Sequence, residues 1–220
     1  MSERLLIFDF DGTLVDSEVL SNQVLSSVLT GLGYPLTPEE SHRRFTGMKM
    51  VQVRESVEAD LAGPLSDRLE DLVRQEAHRR IETELEAVAG AAELLAGLDG
   101  PRCIASNSGH SWIALGLERT GLRSYFEAHA VFSAADVDQG KPAPDLFLHA
   151  ARTMQADPAR CIVIEDSLLG VRGGVAAGMT VLGFAGASHV EAGHHDALRA
   201  EGARLVFDAL SELPKILSEL

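Results

Sequence analysis

The sequence predicts a doubly wound parallel α/β sheet with an all-helical segment inserted near its start. Three observations predict this fold class. Residues 5–8 form an apolar run with no polar face, which is typical of strands covered on both sides. Strand and helix patterns alternate from residue 87 onwards, as in doubly wound sheets. Residues 17–86 show helical spacing and no convincing strand.

The elements are predicted in chain order from periodicity, caps and turn residues. The first helix follows from apolar positions at helical spacing, namely Val19, Leu20, Val24, Leu25, Val28 and Leu29. Pro38 opens a second helix and Ser66 is predicted to N-cap a third. Later strands are expected at 102–106, 130–132, 161–164, 180–184 and 204–207, and helices at 91–97, 111–120, 145–154, 169–177 and the C-terminus. The predicted organisation is a discontinuous α/β core, 1–16 and 87–220, interrupted by a helical domain at 17–86.

Composition narrows the function classes. The 220 residues include 33 acidic and 19 basic side chains, for a formal charge of −14. Since no run is rich in Lys or Arg, we expect no nucleic-acid partner and no anionic membrane partner. Cys103 and Cys161 lie in apolar runs and are expected to be buried, reduced thiols. Without a signal peptide or membrane-length apolar run, the cytoplasm is the expected location. The oligomeric state stays open.

Polar side chains follow four of the predicted strands. They are Asp9 and Asp11 after the first strand, Ser106 and Asn107 after the second, Lys141 after the third, and Glu165 and Asp166 after the fourth. Because parallel strands end at one edge of a sheet, these residues are expected to converge on one crevice. Each segment alone could be a turn or a helix cap. All four together favour a functional site.

The residue types at this crevice predict a chemistry. Crowded carboxylates repel one another unless a cation binds or some are protonated. Oxygen ligands without nearby Cys or His suit Mg²⁺. Ser106, the Asn107 amide and Lys141 could then hold phosphate oxygens. We also assign Gly12, beside Asp11, to the substrate-binding set.

Residues 9–17 closely resemble the signature of the haloacid dehalogenase-like superfamily. Ser106, the Gly-Lys-Pro-Ala-Pro-Asp segment around Lys141, and residues 165–167 match the other three motifs of that family in order. The resemblance covers essentially the whole chain and implies a Rossmann-like core in which residues 17–86 form a small helical cap. The branch that looks most similar is that of the β-phosphoglucomutase-like phosphatases, which includes enzymes acting on sugar and sugar-acid phosphates.

The resemblance implies a role for each matching residue. Asp9 would attack phosphorus and form an aspartyl-phosphate, while Asp11 would act as general acid and then general base. Ser106 and Lys141 would bind the transferring phosphoryl group. Mg²⁺ would be held by the Asp9 carboxylate, the Asp11 backbone carbonyl and Asp166, with Glu165 an outer-shell or additional ligand.

Three functions stay open at this stage. The first is a phosphatase of a small phosphorylated metabolite, which is favoured because dehalogenases and phosphonate hydrolases resembling this chain lack an acid at the position of Asp11. The second is a phosphomutase. The mutases carry a cap His where this chain has Ser21 and a cap Lys where it has Thr46, which weakens that reading. The third is a non-catalytic phospholigand-binding protein, which would not need both Asp9 and Asp11.

The cap would exclude water and select the leaving group. Its candidate substrate contact is the loop at 45–49, where Gly47 permits a tight backbone and Lys49, with Arg43 or Arg44, could meet an anionic or hydroxyl-rich group. Other conspicuous residues are expected to be structural. They are Trp112, predicted to pack beside the second motif, and His189, His194 and His195, predicted to lie in a surface loop.

Overall fold

The computed structural model describes residues 4–46, 48, 50–188, 190 and 192–220. The chain divides into two compact units, of which one comprises Met1–Asp16 with Glu86–Leu220 and the other comprises Ser17–Leu85. The boundary between Leu85 and Glu86 lies one residue before the predicted one.

The larger unit is built on a six-stranded parallel sheet, which confirms the predicted fold class. Its strands are β1 (Leu5–Phe8), β2 (Arg102–Ser106), β3 (Val131–Ser133), β4 (Cys161–Glu165), β5 (Thr180–Phe184) and β6 (Leu205–Phe207). They lie in the order β3-β2-β1-β4-β5-β6. The apolar run that predicted β1 is buried at all four positions, as expected for a strand with both faces covered.

The strand order reverses beside β1, which pairs with β2 on one side and β4 on the other. Phe8 lies opposite Ile164, and the backbone N–H of Asp9 donates to the Ile164 carbonyl at 2.9 Å. In doubly wound sheets the ligand crevice opens at such a reversal, outside the carboxyl ends of the strands. Asp9 and Glu165 therefore lie at the place where the topology opens a crevice.

Ten helices accompany the strands within the described residues. They are α1 (Ser17–Gly31), α2 (Pro38–Phe45), α3 (Met50–Leu61), α4 (Leu69–Glu84), α5 (Ala91–Gly97), α6 (His110–Thr120), α7 (Asp145–Thr153), α8 (Leu168–Ala176), α9 (His194–Ala200) and α10 (Leu213–Glu219). Two of them, α3 and α9, had not been predicted as separate helices. The prediction that Ser66 is an N-cap was wrong, because its hydroxyl accepts from the Arg68 N–H before α4 begins at Leu69.

The smaller unit consists of α1 to α4 around its own apolar core. The buried members of that core are Leu25, Leu29, Phe45, Val53, Val57, Leu65 and Leu69. The start of α2 at Pro38 is confirmed, and a capping box secures it: Glu40 N–H donates to Thr37 Oγ1 at 3.2 Å, and Thr37 N–H to Glu40 Oε2 at 2.9 Å. Among the described residues of the chain, no helix combines the length and apolarity needed to span a membrane.

Candidate active site

A buried lysine lies at the centre of the site. Lys141 Nζ is 2.6 Å from Asp9 Oδ1 and 2.5 Å from Glu165 Oε1, so one ammonium group joins the ends of β1 and β4. Burial by itself lowers the pKa of Lys141, but the two carboxylates outweigh it and raise that pKa above its ordinary value. Lys141 is therefore a permanent cation at this edge of the sheet.

Asp9, Glu165 and Asp166 form a buried carboxylate cluster. One oxygen from each lies within 4.8 Å of the others. Burial, the largest influence, raises the pKa of Asp9 well above its ordinary value; Lys141 opposes that rise, and the Glu165 and Asp166 carboxylates add to it. Three carboxylates facing one ammonium leave an excess of negative charge out of water, which a cation would neutralise.

The donor set fits a hard divalent cation such as Mg²⁺, because all its ligand atoms are oxygens. Thr13, which is fully buried, donates its hydroxyl to Asp166 Oδ1 at 3.1 Å and so orients that carboxylate. The cluster of Asp9, Glu165 and Asp166 thus has the residue types that could hold a cation.

Glu165 binds protein groups through both of its carboxylate oxygens. Oε1 accepts from Lys141, while Oε2 accepts from the Ser167 N–H at 2.7 Å and from the Ser167 hydroxyl at 2.9 Å. Burial raises the pKa of Glu165 and Lys141 opposes that rise. The side chain occupies space that only a glycine leaves open, since a Cβ on Gly170 would lie 2.5 Å from Oε2 and closer still to Oε1. These contacts fit the outer-shell alternative better than direct ligation.

The Asp11 carboxylate points toward the segment after β2. Its Oδ2 accepts from Ser108 Oγ at 2.6 Å and from Ser106 Oγ at 3.4 Å. Its Oδ1 accepts from the indole Nε1 of Trp112 at 2.8 Å. Gly12, which follows, has φ +79°, a left-handed conformation that glycine adopts without strain. The segments after β1 and β2 therefore meet, as the sequence predicted.

Asn107 contacts the lysine segment with its side chain. Oδ1 accepts from the Lys141 N–H at 2.9 Å and Nδ2 donates to the Lys141 carbonyl at 3.1 Å. Gly140 leaves room for this pairing, because a Cβ there would lie 2.6 Å from Asn107 Oδ1. Both polar atoms of the Asn107 side chain thus bind the Lys141 backbone, and the role of the amide in holding phosphate stays a prediction.

Sequence reasoning missed several contacts at this site. Trp112 was predicted only to pack, yet it donates to Asp11. His194 was predicted to lie in a surface loop, but it begins α9 and its Nε2 lies 2.7 Å from the Asp166 carbonyl. A carbonyl oxygen only accepts, so Nε2 carries the proton. Thr13 and Ser108 had no assigned role. Their positions next to Gly12 and Asn107 in the sequence could have indicated that they belong to the site.

The loop at 45–49 of the smaller unit was predicted to contact the substrate, and the structure describes only part of it. Gly47 and Lys49 lie outside the described residues. Arg44 donates to Asp60 Oδ2 at 2.7 Å and to the Tyr34 hydroxyl, so its guanidinium serves the packing of its own unit. The suggestion that Arg44 meets a substrate anion is therefore not supported by these contacts. The hydroxyl of Thr46 lies 3.0 Å from His42 Nδ1, which belongs to the same unit.

Comparison with known proteins identifies similar sequences that belong to one hydrolase family. A sequence model of the haloacid dehalogenase-like hydrolases matches residues 6–184. The 6-phosphogluconate phosphatase of Escherichia coli K12 is 32% identical over 212 residues, which cover 96% of this chain and 93% of that protein.

Two solved structures share the fold along the whole chain. A haloacid dehalogenase-like protein from Agrobacterium tumefaciens C58 is 40% identical, with a TM-score of 0.87 and 99% of both chains covered. A hydrolase of the same family from Deinococcus radiodurans R1, with bound phosphate and sodium, is 32% identical, with a TM-score of 0.82 and coverage of 99% of this chain and 96% of that one. The chain belongs to the haloacid dehalogenase-like hydrolase family, as its motifs predicted.

Proposed function

Since the chain belongs to this family, we propose that it is a magnesium-dependent phosphatase that hydrolyses a small phosphorylated metabolite through an aspartyl-phosphate on Asp9. One observation carries the proposal. Asp9 is buried against Lys141 and Asp166 at the strand-order reversal of the sheet. A buried carboxylate with a cation partner and a second carboxylate suited to a divalent ion matches the needs of phosphoryl transfer, which are positioning and charge stabilisation.

In the first step, an Asp9 carboxylate oxygen attacks phosphorus, and the bond from phosphorus to the ester oxygen breaks. Lys141 holds Asp9 Oδ1 and thereby restricts rotation of the nucleophilic carboxylate. Its ammonium also offsets negative charge that builds on the phosphoryl oxygens. The leaving oxygen takes a proton from the Asp11 carboxyl group.

In the second step, water attacks the phosphorus of the aspartyl-phosphate. Asp11 accepts the water proton, and the bond from phosphorus to the Asp9 oxygen breaks. Asp9 returns as a carboxylate and inorganic phosphate is released. Asp11 thus finishes the cycle protonated and ready to serve the next ester.

Mg²⁺ would be held by the Asp9 and Asp166 carboxylates and the Asp11 backbone carbonyl. When bound, it supplies charge neutralisation for a phosphate that enters a negatively charged site. Thr13 binds the side-chain carboxylate of Asp166, and His194 binds its backbone carbonyl, so both keep Asp166 in place.

The proposed substrate is a sugar phosphate or sugar-acid phosphate. Support comes from the likeness to a 6-phosphogluconate phosphatase over almost the full length of both proteins. We propose that the unit of residues 17–85 acts as the cap that selects the leaving group. Its insertion directly after the Asp9 segment supports this assignment.

The test is a phosphate-release screen over sugar phosphates and sugar-acid phosphates, with and without Mg²⁺. The wild-type chain should release phosphate only with Mg²⁺, and Asp9→Asn should abolish release because an amide is not a nucleophile toward phosphorus. Asp99→Asn, at an exposed position, is the matched control and should keep full activity. Turnover retained by Asp9→Asn would contradict the proposal. Isomerisation of a hexose 1-phosphate faster than phosphate release would identify a mutase instead.

A further inference from the structure

The only tryptophan of the chain binds the proposed acid–base residue. Trp112 Nε1 donates to Asp11 Oδ1 at 2.8 Å, across 101 positions of sequence. Ser108 Oγ donates to the other carboxylate oxygen at 2.6 Å. An indole N–H can only donate a hydrogen bond and is neither an acid nor a base at neutral pH. The contact therefore orients the carboxyl group without competing for its proton.

The groups around Asp11 are held by the fold. Trp112 lies in the first turn of α6, and its backbone N–H donates to the Gly109 carbonyl at 3.0 Å. The next residue, Ile113, is fully buried and anchors that turn. The Ser108 carbonyl accepts from Ser133 Oγ at 2.8 Å, which ties the loop to the end of β3. Trp112 and Ser108 are thus both anchored at the edge of the sheet where Asp11 lies.

We propose that Trp112 is a positioning residue that aims the Asp11 carboxyl group for proton transfer, with Ser108 as the second donor. This inference rests on the proposed function, in which Asp11 serves both chemical steps. A free aspartate carboxyl group rotates among several orientations, and only those facing the leaving oxygen or the attacking water are productive. The indole N–H restricts that rotation, and we take the orientation that it holds as the productive one.

Trp112→Phe keeps an aromatic ring and removes the hydrogen-bond donor. Its effect on each of the two chemical steps should depend on the substrate. An alkyl phosphate such as a sugar phosphate needs protonation of its leaving oxygen, so its first step should slow. Nitrophenolate leaves without a proton, so the first step with p-nitrophenyl phosphate should be unchanged. The second step needs Asp11 as a base with either substrate. Loss of one hydrogen bond to a charged group corresponds to about a 10- to 100-fold loss in rate.

The experiment is rapid-mixing kinetics of the full chain with both substrates and Mg²⁺. For Trp112→Phe with p-nitrophenyl phosphate, we expect a burst of about one nitrophenolate per chain at the wild-type rate, then a steady state slower by about 10-fold or more. With a sugar phosphate, the first turnover itself should slow. The control is Ser111→Ala, an exposed position in the same turn, which should leave both phases unchanged. A burst slowed as much as the steady state, or no change in either phase, would overturn the proposal.

A second measurement tests the contact without activity. With one tryptophan, the ¹⁵N-labelled chain shows a single indole N–H resonance. Asp11→Ala removes the acceptor, so this resonance should move upfield, whereas Ser111→Ala should leave it in place. An unmoved resonance in Asp11→Ala would overturn the inference even if Trp112→Phe failed to fold. If the wild-type chain hydrolysed no phosphate ester, the proposed function would fail, and the indole resonance would still decide whether Trp112 holds Asp11.

Discussion

Replacing Gly170 by alanine should destabilise the protein, against the usual effect of that substitution in a helix. Gly170 lies in the first turns of α8, where alanine is normally more favourable than glycine by about 1 kcal/mol. The added Cβ would lie 2.5 Å from Glu165 Oε2 and closer to Oε1 and Cδ. Atoms at such separations overlap, so either the Glu165 carboxylate or the start of α8 must move.

The cost follows from what holds Glu165 in place. The side chain is fully buried and accepts from Lys141 Nζ at 2.5 Å and from the Ser167 N–H at 2.7 Å. Hydrogen bonds to charged groups contribute about 1.5–3 kcal/mol each, so displacing the carboxylate from both should cost about 3–6 kcal/mol. After the gain in helix propensity, a net loss of about 2–5 kcal/mol remains.

Thermal unfolding followed by circular dichroism measures this effect. For a chain of this size the loss corresponds to a fall in Tm of about 4–20 °C. The control is Gly97→Ala at the end of α5, where a Cβ meets nothing within 4 Å. That variant should be as stable as the wild type or slightly more stable. A Gly170→Ala protein with an unchanged or higher Tm would refute the argument that Glu165 is fixed by its partners.

Two further substitutions test the groups that position the site. Asn107→Ala removes both side-chain hydrogen bonds to the Lys141 backbone, so kcat for phosphate release should fall by about 10-fold or more. Gly140→Ala should act in the same direction by displacing Asn107 Oδ1; full activity in both variants would contradict this role. His194→Ala should weaken Mg²⁺ binding by about 10-fold in a calorimetric titration, because Asp166 loses a donor to its backbone. His195→Ala is the control, since that ring contacts Asp208. Equal Mg²⁺ affinity of the wild type, His194→Ala and His195→Ala would contradict the role of His194 in holding Asp166.

The sequence by itself determined the sheet and the identity of the residues at its edge. The apolar runs that form β1, β2 and β5 have the predicted bounds because a strand buried on both faces leaves an unambiguous local pattern. The ends of parallel strands must meet at one edge, so Asp9, Lys141 and Glu165 could be placed together without coordinates. The helices α3 and α9 were harder to predict. The buried residues of α3 are only Val53 and Val57 and that of α9 is only Leu198, so their apolar periodicity carries little signal.

Only the tertiary structure decided how these residues are used. Lys141 could have faced a phosphate alone, but the path of its loop places its ammonium between Asp9 and Glu165. Glu165 could have faced the crevice without partners, but Ser167 and Lys141 bind both of its oxygens. The contact of Trp112 with Asp11 depends on two segments about 100 positions apart. Such pairings follow from register and side-chain rotamers, which a linear pattern does not encode, whereas the apolar period of a strand is written in consecutive residues.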